Sequence, residues 1–179
     1  MNRDYLSHAL LIRKAYDNGI IVDDHSFAIS DNGLMIAIAG TANIENVLED
    51  IDIAPKPFCG HSVHGGCVDA FEELDGAIRP HILKSGTVII GHSLGGGIAQ
   101  LFGIKYNLPV VTFGSLALYC HHEKPNWSHL RIVNNGDPVP DLPLSFYHNS
   151  PSRVLGTSDW RIPGLEYHRI DAYIKELKR

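Results

Sequence analysis

The sequence predicts an α/β protein, with a central, mostly parallel sheet and helices on both faces, as one compact domain spanning residues 1–179. Three observations predict it. Short β-branched runs at residues 87–90, 109–113 and 130–133 each end in polar or glycine-rich residues. Segments with apolar residues at helical spacing alternate with those runs. The length of 179 residues, with 44% hydrophobic and 20% charged residues, suits one core and is short for two.

The elements follow in chain order. Residues 4–17 carry Tyr5, Leu6, Ala9, Leu10, Ile12 and Ala15 at helical spacing, and Asn18 with Gly19 supplies a stop. Residues 26–30 and 34–39 read as strands joined by Asp31, Asn32 and Gly33, a hairpin signal. A helix is predicted over 65–83, kinked or shortened near its end by Pro80. The strand at 87–90 leads into a helix at 95–106, and the strands at 109–113 and 130–133 follow. A terminal helix over 166–178 presents Ile170, Tyr173, Ile174 and Leu177 on one face. Nothing along the chain reads as a repeat, a low-complexity tract or a linker.

Charge and composition narrow the function. Fifteen Lys and Arg against twenty Asp and Glu give a formal charge of -5, with no basic stripe to draw in phosphate backbones, so nucleic acid is not an expected partner. Cys59, Cys67 and Cys120 have no metal-ligand spacing, and an odd count argues against a disulfide framework; they read as reduced thiols. Arg3, Asp4, His8, Arg13 and Lys14 interrupt the apolar residues of the first helix, and no stretch approaches the ~20 apolar residues of a membrane span. A cytoplasmic protein is the expectation, with leaderless export left open.

The densest chemical signal is Gly91-His92-Ser93-Leu94-Gly95. A buried strand passing straight into a helix forces the central serine into a strained backbone, and glycines two before and two after remove Cβ atoms that would collide. The strain holds the hydroxyl out. It also sets Ser93 at a helix N-terminus, where free N–H groups and the helix dipole favour negative charge developing on a substrate oxygen. Such a site suits acyl transfer.

A serine hydroxyl needs a base within reach and an acid to orient that base. In α/β hydrolases the order is Ser, then Asp or Glu, then His, on loops beyond the C-terminal ends of the strands. Asp137 sits on the turn Asn134-Asn135-Gly136-Asp137-Pro138 after the strand at 130–133 and is the expected acid; Asp141 is its competitor. Of eleven histidines, His168 lies after Asp137 and just ahead of the terminal helix, which makes it the first choice of base, with His148 as the alternative. His121, His122 and His129 precede the acid and read as solvated loop residues. His64 and His92 flank the presumed site; His64 reads as an ordinary hydrogen-bonded histidine near a helix start.

These residues resemble the class 3, fungal-type lipases over about residues 36–176. Ile38-Ala39-Gly40-Thr41 with Val47-Leu48-Glu49-Asp50-Ile51 is similar to that family's F-R-G-T segment and the helix after it. Val63-His64-Gly65-Gly66 resembles its V-H-x-G, residues 91–96 its G-H-S-L-G-G, and Val111-Thr112-Phe113-Gly114 its T-F-G strand end. Arg131-Ile132-Val133 through Asp137-Pro138-Val139-Pro140 is similar to its R-V-V...D-x-V-P, and His168 with Tyr173 matches a histidine and tyrosine near its C-terminus. The resemblance implies an α/β-hydrolase fold and a serine hydrolase acting on carboxylic esters of lipid type, with no metal or organic cofactor. It also implies that Thr41 and the backbone N–H of Leu94 form the oxyanion hole, where one donor is typically worth ~3 kcal/mol.

The resemblance makes residues 43–51 a lid, whose Ile44, Val47, Leu48 and Ile51 share one helical face. Exposing those four side chains costs up to ~6 kcal/mol, so a closed lid and opening at an apolar lipid surface are the expectation; a helix that never moves is the alternative. Two departures stand out: Ala39 replaces the family's arginine, and Cys67 stands where an aromatic is common. With no paired cysteines or secretion signal, a compact intracellular or phage-like minimal version is expected, which argues against long-chain triglyceride digestion and leaves short esters, monoglycerides and phospholipids as candidate substrates. The rival readings are another acyl hydrolase, a thioesterase or amidase, and a non-catalytic acyl-binding protein that keeps the fold.

Overall fold

The computed structural model describes residues 2–41, 54–82, 86–122, 127–156 and 163–179. Helix α1 (Asn2–Asn18) is followed by an antiparallel meander of β1 (Ile20–Val22), β2 (His25–Ile29) and β3 (Met35–Ile38). A separate hairpin, β4 (Pro55–Phe58) with β5 (His61–His64), runs directly into α2 (Gly65–Ile82). Then come β6 (Val88–His92), α3 (Leu94–Tyr106), β7 (Val110–Phe113), β8 (His129–Asn134), β9 (Ser152–Leu155) and α4 (Ile170–Leu177). The seven-stranded sheet has the order β1-β2-β3-β6-β7-β8-β9, and the five strands from β3 to β9 are parallel.

Both faces of that sheet are covered, as the hydrophobic runs require. On one face α2 and α3 bury Phe71, Leu74, Ile78, Ile98, Leu101 and Phe102 against the sheet. On the other, α1 buries Ala9, Ile12 and Ala15, and α4 buries Ile170, Tyr173, Ile174 and Leu177. Ala39 belongs to this second core at 2% exposure, where an arginine's charge would have to leave water. Cys67 is fully buried on α2, and its Sγ lies 2.5 Å from where a Cβ on Gly97 of α3 would stand. An aromatic there would hold the two helices apart; burial pushes the thiol up to about 12 and leaves it inert.

The structure extends or moves several expected elements. α2 continues through Pro80 to Ile82, because Pro80 and Gly76, whose carbonyl it leaves without a helical donor, both lie on the exposed side. α4 starts at Ile170 rather than 166: residues Leu165–Tyr167 form a 3-10 turn and Arg169 is extended, with φ -57° and ψ 138°. Tertiary partners take the carbonyls a longer helix would use, since Asn134 Nδ2 donates to Tyr167 O and His92 donates to His168 O. His129 is not a solvated loop residue: it opens β8 at 7% exposure, hydrogen-bonds Thr112 and Ser150, and stacks on Trp127 at 5.1 Å.

The buried histidines give the fold an acid limit. Burial first, then neighbouring positive charge, pushes His92 and His129 down to about 3. Both are therefore neutral in the folded protein and bind protons on unfolding below an ordinary pKa of about 6.5. Their contribution is complete above that value and is lost as pH falls toward 3. Between pH 7 and pH 5 the two together remove about 4 kcal/mol of stability, to be read as a fall in the urea midpoint; an unchanged midpoint would mean that both rings take up their protons without unfolding, and half the fall that one of them does.

Candidate active site

The parallel strands all point their C-terminal ends at one edge, and the register pairs Ile38 with Gly91, His92 with Phe113 and Phe113 with Ile132. The chain segments that leave this edge carry Gly40 and Thr41, Ser93, Gly114 and Asp137. Ser93 occupies the corner between β6 and α3 with φ 58° and ψ -128°, a region that side chains other than glycine rarely enter. Neighbouring backbone packs so closely that a Cβ on Gly91 would lie 2.2 Å from Gly95 O, and one on Gly95 would lie 2.4 Å from Ala39 O. The corner is thus held by contact on two sides. Leu94 follows as the first residue of α3, whose opening N–H groups have no partner within the helix.

Asp137 lies beyond β8 on the turn after Asn134, and is buried at 6% exposure. Three donors converge on its carboxylate. His168 Nδ1 lies 2.9 Å from Oδ2 and 3.1 Å from Oδ1, the Tyr173 hydroxyl donates to Oδ2 at 2.5 Å, and Val139 N–H donates to Oδ1 at 2.9 Å. Burial, reinforced by Asp137, pushes the Tyr173 phenol up, so it remains a donor; its oxygen accepts Asn134 N–H at 3.1 Å. With Nδ1–H committed to Asp137, His168 keeps a bare Nε2 as an acceptor. Among the described residues, His168 Nε2 and Ser93 Oγ are both buried without a hydrogen-bond partner.

The structure therefore brings Asp137 and His168 together but forms no hydrogen bond between His168 and Ser93. The serine is close by: its N–H donates to Phe113 O at 3.1 Å, and the next residue, Gly114, floors the acid and base. At φ 53°, a Cβ on Gly114 would stand 2.7 Å from Asp137 Oδ2, 2.8 Å from the Tyr173 hydroxyl and 3.0 Å from His168 Nδ1. Gly114→Ala is expected to keep the fold and to lower kcat about 100-fold by displacing the base, measured on a soluble ester; wild-type kcat would show that the pair can shift without loss.

The alternatives lie elsewhere. Asp141 is exposed at the end of a 3-10 turn, and His148 donates from Nε2 to Pro140 O, with burial pushing it down to about 4. Thr41 is half-buried just past β3; Gly40 beside it packs so that a Cβ would lie 2.7 Å from Ser93 Cβ. His121 and His122 are exposed, whereas His64 is fully buried, its ring 5.3 Å from Phe146. The lid reading of residues 43–51, with Ile44, Val47, Leu48 and Ile51, lies outside the described residues. Among the described residues no cluster of His, Cys, Asp and Glu has the arrangement of a metal site, and no helix is long and apolar enough to cross a membrane.

Two contributors escape a reading of the sequence. Tyr173 stands in the sequence as a helix core residue and, with His168, as part of the family match, and neither shows that its hydroxyl binds the acid. Tyr16, on the inner side of α1, hydrogen-bonds His92 across 76 residues of chain. A tyrosine at an otherwise apolar helix position was the available signal, since a buried phenol needs a partner.

The family model for lipase (class 3) matches residues 35–147. No curated protein sequence matches the chain. Among solved structures, the lipase of Rhizopus microsporus var. chinensis is similar with a TM-score of 0.67 at 17% identity, over 88% of this chain and 75% of that one. Lip2 lipase from Yarrowia lipolytica gives 0.61 at 20% identity, over 86% and 78%. The Rhizomucor miehei lipase in its propeptide complex gives 0.60 at 20% identity, over 86% and 68%. At these identities the likeness speaks for the shared α/β-hydrolase fold.

Proposed function

The chain belongs to the class 3 lipase family and is a carboxylic ester hydrolase, and we propose that it cleaves lipid esters through an acyl-enzyme on Ser93, with His168 as base and Asp137 as its orienting acid. One observation carries this reading: a buried Asp137–His168 pair that leaves Nε2 bare, next to a strained corner that presents a serine. Ser93 Oγ attacks the ester carbonyl while His168 Nε2 takes its proton. The negative oxygen of the tetrahedral intermediate is held by Leu94 N–H at the start of α3 and by Thr41. Collapse breaks the ester C–O bond, and the leaving alcohol takes the proton from Nε2. Water then repeats the sequence on the acyl-serine, releasing the acid and restoring Ser93.

Ser93 is 1% exposed and His168 is 3% exposed, so an ester reaches them only after something moves. Residues 43–51 come just after Thr41 in the chain and carry Ile44, Val47, Leu48 and Ile51 at helical spacing, which supports the proposal that they are the lid and that a lipid surface is the setting in which it opens.

A fluorophosphonate probe and a matched panel of soluble esters, thioesters and amides test the reading. Labelling confined to Ser93, with turnover of esters ahead of thioesters and amides, is the expected result. Preferred cleavage of thioesters or amides would make it a different acyl hydrolase, and a wild-type chain that never labels would make it an acyl-binding protein.

A further inference from the structure

Beside the reacting groups lies a chain of hydrogen bonds that the mechanism does not use. His92, 3% exposed, stands between α1 and the segment carrying His168. Its Nε2 lies 2.7 Å from His168 O, its Nδ1 lies 2.7 Å from the Tyr16 hydroxyl, and that hydroxyl lies 2.9 Å from Gly40 N. The two imidazoles also stack, with centroids 4.6 Å apart and planes at 27°.

Every proton in this chain has only one place to be. A carbonyl oxygen only accepts, so His92 Nε2 carries hydrogen. Burial keeps the ring neutral, which leaves Nδ1 bare and makes it the acceptor of the Tyr16 O–H. Burial likewise pushes the Tyr16 phenol up and keeps it a donor. With its proton spent on His92, the Tyr16 oxygen accepts the N–H of Gly40. The bonds run in one sense from the loop before Thr41, through α1, to the backbone of His168.

We propose that His92 is a positioning residue for His168, and that the ordered bridge Gly40–Tyr16–His92–His168 sets the base and the Thr41 side of the oxyanion hole at a fixed separation across Ser93. The inference rests on the roles proposed above for His168, Ser93 and Thr41. Two features of the backbone make the bridge necessary. His168 lies between a 3-10 turn and an extended Arg169, so no helical ladder holds its carbonyl; His92 does. Gly40 is equally dependent on what it touches, since a Cβ there would meet Ser93 Cβ at 2.7 Å, His92 O at 2.8 Å and the Tyr16 hydroxyl at 2.9 Å. A shift of any one of these groups therefore moves the others.

The test compares kcat, KM and the rate of fluorophosphonate labelling at Ser93 in the full chain, using p-nitrophenyl butyrate as the substrate. His92→Phe keeps a buried aromatic ring, slightly larger, and removes both hydrogen bonds; His92→Gln keeps a donor at the Nε2 position; Tyr16→Phe removes one oxygen. His92→Phe is expected to lower kcat and the labelling rate together by about 100-fold, with KM changed less than about threefold, because a base displaced by about 1 Å loses alignment without altering substrate binding. His92→Gln should recover at least about tenfold of that loss, and Tyr16→Phe should cost about tenfold alone but less than about twofold when His92 is already Phe, since both act through one bridge.

Equal losses in Phe and Gln, wild-type kcat in Tyr16→Phe, or independent multiplication of the two effects would each overturn the proposal. Should His92→Phe not fold, Gln and Tyr16→Phe decide it by the same criteria: Gln within about tenfold of wild type with Tyr16→Phe about tenfold down supports the bridge, and any other pairing overturns it. A wild-type chain that takes no label at Ser93 overturns the proposed function instead, so the two failures are told apart.

Discussion

Ser93→Ala is expected to abolish fluorophosphonate labelling and to lower ester turnover by about 10⁶-fold, the loss that follows when a nucleophile acting as one unit with its base is removed. The oxyanion donors at Leu94 and Thr41 would then supply whatever acceleration over water is left. The same substitution should leave the protein more stable. Ser93 Oγ is buried with no hydrogen-bond partner among the described residues, and an unsatisfied buried hydroxyl costs about 1–3 kcal/mol. Alanine removes that cost while keeping the strained φ of 58°. Ser93→Gly goes further, because glycine enters this region without a Cβ penalty. A rise in the thermal midpoint from wild type to Ala to Gly, at zero activity, would identify a site that holds strain for function. Residual turnover within about 100-fold of wild type would sink the assignment of Ser93.

The corner was legible because it is local. A strand, a serine and glycines at fixed offsets determine one another within five residues, and Gly91 and Gly95 meet the backbone groups their spacing implies. The parallel strands β6 and β7 were legible because strands buried on both faces are near-continuously apolar, and β8 through Leu130, Ile132 and Val133 despite Arg131. The hidden elements lie at edges: β1 leaves Ile21 75% exposed, β9 leaves Val154 62% exposed, and β4 carries Pro55 and Pro57. Short edge strands that expose apolar residues or carry prolines show neither the alternation nor the buried run that marks a strand. His129 was misjudged for a different reason, since nothing near it in the chain announces Thr112, Ser150 and Trp127 as partners. The bridge through Tyr16 and His92 was out of reach on the same ground: its four members span residues 16 to 168, and their contacts exist only once α1 and α4 pack on one face of the sheet.

Asp137→Asn is expected to lower kcat by about 10⁴-fold with the fold intact, the effect of holding a catalytic histidine in the wrong tautomer. The wild-type carboxylate only accepts, and it accepts from His168 Nδ1, Tyr173 and Val139 N–H. An amide brings two hydrogens into that arrangement and must turn them toward Val139 N–H at the Oδ1 position or toward Tyr173 and His168 at the Oδ2 position. Turned toward Val139 it opposes a backbone N–H that cannot move, because Val139 is fully buried in the turn. Turned toward Tyr173 and His168 it meets a hydroxyl whose hydrogen can rotate away and a ring that can adapt by shedding its Nδ1 proton and carrying hydrogen on Nε2 instead. The second arrangement is the cheaper one, and it points a donor where Ser93 needs an acceptor. Labelling at Ser93 should slow by a similar factor to kcat/KM, since both report the step in which the serine loses its proton. Activity within about tenfold of wild type would leave Asp137 a structural turn residue and return the role to a different carboxylate.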